Sequence, residues 1–228
     1  MTRIYCIRRA AGRPGVEGRW DSEVWAAAET ARVEWFHPAG SEHRPVTLAR
    51  VLYDDEALYV HFRVENDRFI RCVHTEFQSA VFKDSCVEFF FQPGDDKGYF
   101  NFEMNCGGAL LARYYPDPHP DRAVRHERSQ RLTPEDAAAM RIYHSLPSRV
   151  EPELPGPVTW GVEYSIPLAV LERHAGPLRP LAGRTWRGNF YKCGDEVSHP
   201  HWGAWSPVGD ELNFHQPARF GVLVFAPS

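Results

Sequence analysis

The chain has 228 residues, of which 43% are hydrophobic, 13% aromatic and 25% charged. That composition supports a sizeable core and excludes disordered and fibrous classes. A formal net charge of −4, with arginines scattered rather than clustered, leaves no electrostatic footprint for nucleic acid.

All-β proteins of this length are often single units, so residues 1–228 are expected to form one domain. The N-terminal "MTRIYCIRRAAGRPG" has no apolar run long enough for a signal peptide, and no stretch of about 18 apolar residues marks a membrane span. Residues 47–65, "TLARVLYDDEALYVHFRVE", read as two strands about a turn at Asp54-Asp55-Glu56. Leu58, Val60, Phe62 and Val64 share one face, with Tyr59, His61, Arg63 and Glu65 on the other.

"DSCVEFFF" (84–91) reads as a central strand covered on both faces. Its Glu88 must find partners or water, because burying an unpaired charge is costly. In "YFNFEMNC" (99–106), Phe100, Phe102, Met104 and Cys106 face a core, which puts Tyr99, Asn101, Glu103 and Asn105 on the opposite face. "GGALLARYY" follows as a strand after a turn at Gly107-Gly108.

Residues 116–133 read as irregular. In "TPEDAAAM", Thr133 is an N-cap, Pro134 the first helical residue and Asp136 the third after the cap, so a short helix begins there. "SRVEPELPGP" is too proline-rich for regular structure and is expected to be a loop. "TWGVEYSIPLAVLERHAG" gives a strand to about Ile166, a helix from Pro167 and a stop at Gly176. "RTWRGNFYKC" is a strand that sets Arg187, Asn189 and Tyr191 against Trp186, Phe190 and Lys192. Residues 194–215 form a long aromatic loop, and "RFGVLVF" is the closing strand. Many short strands and few helices predict an all-β, antiparallel β-sandwich with one or two short helices.

Five cysteines, at positions 6, 72, 86, 106 and 193, are odd in number and not closely spaced, so no disulfide framework is expected. Cys86 and Cys106 fall inside apolar strand patterns, where a thiol acts as a small buried hydrophobe. His199-Pro200-His201 with Cys193 has no fourth ligand at convincing spacing for a metal and is read as structural. Asp54-Asp55 and Asp95-Asp96 offer hard oxygens for Ca²⁺ but lack the every-other-residue pattern of a dedicated loop, so they are read as solvated turns.

The polar row of Asn101, Glu103 and Asn105, with Glu88, Arg187 and Asn189 on neighbouring strands, is either a solvated sheet face or the floor of a site. Carboxylates, carboxamides and an arginine match vicinal hydroxyls, and rings stack on the C–H faces of a sugar. Trp202 and Trp205, in a Gly/Pro-punctuated loop, either plug the end of the sandwich or wait for a ligand. Glu88 and Glu103 also match the carboxylate pair of a glycosidase. A nucleophile elbow, a phosphate loop and a dinucleotide fingerprint are absent.

"EGRWDSEVWAAAE", "VLYDDEALYVHFRVEND", "VFKDSCVEFFFQP", "YFNFEMNCGG", "YSIPLAVL", "WRGNFYKCGDEVSHPHWGAWSP" and "FHQPARFGVLVF" follow one another along the chain. In that order they resemble the landmarks of carbohydrate-binding module family 9-like domains, within the DOMON-like β-sandwich group. The resemblance implies a module that grips a sugar end between two aromatic rings, with no catalysis of its own. By motif it assigns Glu88, Glu103, Asn105 and Asn189 to the hydroxyls and Phe82 to the first ring, where a Trp is expected. Trp202 or Trp205 supplies the second ring, and Lys192 lies near that place. No cofactor is implied beyond a structural calcium ion. The resemblance further suggests a secreted or periplasmic protein associated with glycan-degrading enzymes, and it leaves two other readings open. One is a glycan-processing enzyme or accessory subunit using Glu88 and Glu103. The other is a binder of haem or another small molecule, which Met104, committed to the core, disfavours.

Overall fold

A computed structural model describes residues 2–96, 98–117 and 121–227. Its strands are β1 (Ile4–Arg9), β2 (Ala31–Val33), β3 (Trp35–Phe36), β4 (Val46–Tyr53), β5 (Ala57–Asp67), β6 (Ile70–Cys72), β7 (Cys86–Gln92) and β8 (Tyr99–Asn105). They continue with β9 (Leu110–Tyr115), β10 (Gln130–Arg131), β11 (Ile142–His144), β12 (Val150–Leu154), β13 (Val158–Pro167), β14 (Thr185–Gly194), β15 (His201–Ala204) and β16 (Gly221–Phe225). Four short helices, α1 (Glu23–Ala26), α2 (Arg122–Glu127), α3 (Pro134–Ala138) and α4 (Leu168–Ala175), lie between them. No helix among the described residues is long and apolar enough to cross a membrane.

The first sheet runs β10-β9-β8-β7-β14-β16-β1, and the second runs β4-β5-β13-β11 with β2 beside β4. Strand β1 joins them. Ile4–Ile7 pair in parallel with Val222–Phe225 of β16, and Arg8 and Arg9 then pair in parallel with Leu52 and Tyr53 of β4. The predicted sandwich is present, and its otherwise antiparallel pairing is broken at this one crossing strand.

Period-two alternation builds the core. Val87, Phe89 and Phe91 of β7, Phe100, Phe102 and Met104 of β8, and Trp186 and Phe190 of β14 project inward. There they meet Val60, Phe62 and Val64 of β5 and Val162 and Tyr164 of β13. Phe89 stacks on Phe190 at 4.9 Å, and Phe91 on Trp186 at 5.5 Å. Burying each such ring removes 150–250 Å² from water, which at about 25 cal/mol per Å² makes these rings the main adhesive between the sheets.

Helix α3 begins as its sequence dictates. The Thr133 hydroxyl accepts from Asp136 N, and the Asp136 carboxylate accepts from Thr133 N at 2.9 Å. Helix α4 ends at Gly176, whose φ of 74° suits a residue without a β-carbon. Two expectations are corrected. The proline-rich 150–154 segment is strand β12, paired with β6 across an irregular register in a separate two-stranded sheet, where its Pro152 is tolerated because the ladder is short and edged. The stretch 116–133 contains α2, capped by the Asp121 side chain on Ala123 N and Val124 N. Residues 118–120 of that stretch lie outside the described residues.

Candidate functional site

Alternation on four adjacent strands sets one row of side chains on the outer face of the first sheet. Leu111 of β9 opposes Glu103 of β8, Glu103 opposes Glu88 of β7, and Glu88 opposes Tyr191 of β14. The rows on either side are Arg113, Asn101, Phe90 and Asn189, and Asn105, Cys86 and Cys193. The strands therefore bring Glu88, Asn101, Glu103, Asn105 and Asn189 onto one surface.

That surface is covered. Val81 and Phe82, the aromatic Trp202, and Val208, Phe214 and Phe220 from the long C-terminal loop pack over it in two outer apolar clusters. Glu88 is 2% exposed and Glu103 5%, while Asn101, Asn105 and Asn189 are fully buried. An open patch bordered by rings is thus corrected to a closed floor beneath a lid of loops.

The three carboxamides are spent on the wall. Asn101 accepts from Arg113 N at 2.8 Å and donates to Glu103 Oε1 at 2.7 Å. Asn105 donates to His74 O and Asp84 Oδ2 and accepts from Ala109 N. Asn189 donates to Ser206 O and accepts from Ser206 N and Phe190 N. A carboxamide offers two donor hydrogens and one acceptor oxygen, so little of this capacity is left for a ligand.

The two glutamates differ from them. Glu88 Oε1 accepts only a weak bond from the Cys193 thiol, 3.1 Å away. Glu103 Oε2 is buried with no hydrogen-bond partner among the described residues. Burial pushes the Glu88 carboxyl well above its ordinary range, and the neighbouring Cys193 and Glu103 push it further. Burial likewise raises Glu103 to about 7, with Asn101 pulling the other way and Asp195 adding to the rise.

Rings stand at the edge of this floor. Phe82 and Trp202 are half-buried, and Trp202 Nε1 donates to Asp195 Oδ1 at 2.7 Å. Phe214 lies over Tyr191 at 4.0 Å with the planes 8° apart. Phe214 is one of the aromatics of the 194–215 loop, and here it plugs the floor, whereas the sequence carries no site reading for Asp195, Leu111 and Arg113. Continued alternation along 110–115 identifies Leu111 and Arg113, whereas Asp195 and Phe214 reach the floor only through loop folding.

Three assigned residues lie elsewhere. Lys192 points to the other side of β14, fully buried, with Nζ 2.8 Å from His201 Nε2, 3.1 Å from Cys193 O and 3.6 Å from Asp67 Oδ2. Trp205 is in the main core, edge-on to Tyr5 and Phe190. Arg187 shares the outer face with Glu88 but is turned to the Ala218 and Phe220 carbonyls. Its position is four residues along β14 from Tyr191, which opposes Glu88. His199 stacks on Phe69 at 3.6 Å while His201 faces Lys192, so the histidine pair and Cys193 do not converge.

Of the two acidic turns that offer oxygens for calcium, Asp54-Asp55 is engaged within the protein. Asp54 is taken up by Glu56 N, Ala57 N and the Tyr59 hydroxyl, and Asp55 by Arg9. The two convergent sets, His43-Asp67-His201 and Cys86-Glu88-Cys193, carry nitrogen and sulfur where a hard cation takes oxygen. Two open grooves, of about 380 and 600 Å³, lie at Thr133–His174 and Arg32–Val46 and include neither glutamate.

The family model for carbohydrate-binding family 9 matches residues 20–225. Among solved structures, a candidate carbohydrate-binding protein from Bacteroides uniformis is 27% identical, with a TM-score of 0.84 over 99% of this chain and 100% of that one. A family 9 carbohydrate-binding module from Caldicellulosiruptor kristjanssonii, solved with cellotriose, is 14% identical, with a TM-score of 0.65 over 99% of this chain and 95% of that one. A module of that family from the same organism, solved with glucose, gives 14% and 0.63 over 98% and 96%. No curated relative matches the sequence.

Proposed function

This chain belongs to carbohydrate-binding family 9, and from that premise we propose that it is a non-catalytic module that holds a sugar end at the Glu88-Glu103 floor. The observation that supports this is the Glu103 carboxylate, whose Oε2 lies buried and unpaired opposite the weakly bonded Glu88. Leaving such an acceptor unsatisfied costs about 1–3 kcal/mol or more, which donors from a ligand's hydroxyls would recover. Phe82 and Trp202, half-buried in the cluster over the same floor, are on this reading the rings that stack on a pyranose once the covering loop moves.

Phe214 and the 206–220 loop cover the row, so entry of a sugar requires that they move. Asn101, Asn105 and Asn189 act as positioning residues, since each fixes backbone or carboxylate geometry around the glutamates. The relatives crystallised with glucose and cellotriose make gluco-configured sugars the first probes. The test is calorimetric titration with glucose, cellotriose and a glycan panel. Saturable binding lost in Glu88→Ala supports the reading, and binding unchanged in Glu88→Ala places the sugar elsewhere.

A second reading shares the same pair. Two carboxyls raised above their ordinary range and facing each other across β7 and β8 are also what a glycan-processing enzyme needs. Release of sugar from cellotriose or a chromogenic glycoside, abolished by Glu103→Gln, would decide for it.

A further inference from the structure

We infer that Cys86, Cys193, Glu88 and Glu103 form a binding site for a thiophilic divalent cation of the Zn²⁺ class. Cys86 and Cys193 are direct partners across β7 and β14, and Glu88 lies two residues along the same face. Their three ligand atoms all lie within 4.8 Å of one another, with Cys193 Sγ 3.1 Å from Glu88 Oε1. Zinc bonds of 2.0–2.3 Å in a tetrahedron place neighbouring donors roughly 3.3–3.8 Å apart, so the set needs only small adjustment.

The fourth donor is indicated separately. Glu103 faces Glu88 across the β7–β8 ladder with its Oε2 buried and without a partner among the described residues; it stands outside the set of atoms within 4.8 Å of one another, so its side chain must swing in to complete the tetrahedron. Asn101 holds its other oxygen, as an outer group orients a metal-binding carboxylate. Two sulfurs and two carboxylate oxygens suit zinc and exclude calcium or magnesium, which take oxygen alone.

The His43-Asp67-His201 set provides the contrast. There the Lys192 ammonium already stands 2.8 Å from His201 and 3.6 Å from Asp67, so a cation is built in. Beside the cysteine set, Arg113 of the adjoining row is turned to Ser129 Oγ at 2.8 Å, and Lys192 projects from the opposite face of its strand. The four groups are acids packed together, and a divalent cation is the partner that satisfies all of them. Binding replaces the two thiol protons, and the Glu88 and Glu103 protons where they are present, all of which leave to solvent without any change in oxidation state.

The inference does not rest on the sugar reading, although both use Glu88 and the Glu103 Oε2 atom, so a metal held there would compete with a sugar hydroxyl for it. The experiment is titration of the reduced, chelator-stripped full chain with Co²⁺, followed by thiolate-to-cobalt charge-transfer absorption. One equivalent should bind and be displaced by Zn²⁺. The band should vanish in Cys193→Ser, weaken by about tenfold or more in Glu88→Gln, and persist in Cys6→Ser. Absence of the band in the reduced wild type would overturn the inference, as would a band that survives in Cys193→Ser and so belongs to Cys72 and Cys106. Should Cys193→Ser fail to fold, unchanged cobalt affinity in the near-isosteric Glu88→Gln overturns it equally. A protein that binds cobalt but no sugar loses only the sugar reading, and one that binds sugar but no cobalt loses only this inference.

Discussion

Lys192 and Asp67 form an ion pair at 3.6 Å in which both side chains are fully buried, between the sheets and away from Glu88. Asp67 is also held by His43 at 2.7 Å and by Trp160 Nε1 at 2.7 Å. The Lys192 ammonium and these donors outweigh the cost of burial and hold the Asp67 carboxyl well below its usual range. Removing one partner of a buried pair strands the other and costs about 3–5 kcal/mol. Lys192→Met should therefore lower stability by that order in chemical denaturation while leaving sugar affinity, per folded molecule, within about twofold. A large loss of affinity without loss of stability would return Lys192 to the ligand.

Glu103 makes stability depend on pH with a definite sign. Its folded pKa of about 7 lies above the unfolded carboxylate value, so the native state holds a proton that the unfolded state has released. Stability is then greatest below the unfolded value, falls as pH rises toward 7, and levels off above it. The loss is on the order of 3 kcal/mol. Glu103→Gln, which cannot ionise, should reduce this slope in denaturation curves taken from pH 4.5 to 8, leaving the part that the raised Glu88 carboxyl contributes with the same sign. An identical slope in wild type and variant would show that Glu103 is not the titrating group.

Asn189 carries a structural load. Its side chain joins the Ser206 peptide at 2.7 and 2.8 Å, tying the start of the covering loop to β14. Asn189→Ala should orphan Ser206 N and O at about 1–3 kcal/mol per unsatisfied group. Hydrogen exchange should show faster opening of 206–220. Unchanged exchange there would mean that the loop is held by its apolar contacts alone.

Strand alternation made most of the sandwich legible. The apolar periods of 58–64, 87–91, 100–104 and 186–190 are the core faces observed, and alternation along 186–192 also set Lys192 on the inner side with Trp186 and Phe190. Motif position alone drew Lys192 to the ligand. What alternation could not show is that the outer face is roofed. That depends on loop residues such as Val208, Phe214 and Phe220, which lie in an irregular segment with no strand pattern of its own, and on carboxamides bonding to distant backbone. Trp202 and Trp205 are indistinguishable in sequence because strand β15, which carries Trp202 and ends just before Trp205, has no sequence signal of its own within a Gly/Pro-rich loop.

The central claim is tested most directly by calorimetric titration of glucose and cellotriose into the wild type, Glu88→Gln and Trp202→Ala. Each variant should bind at least about tenfold more weakly, equivalent to the roughly 1.4 kcal/mol expected from one lost hydrogen bond or one lost ring contact. Full wild-type affinity in both variants, with the fold intact by circular dichroism, would contradict a sugar site on the Glu88-Glu103 floor.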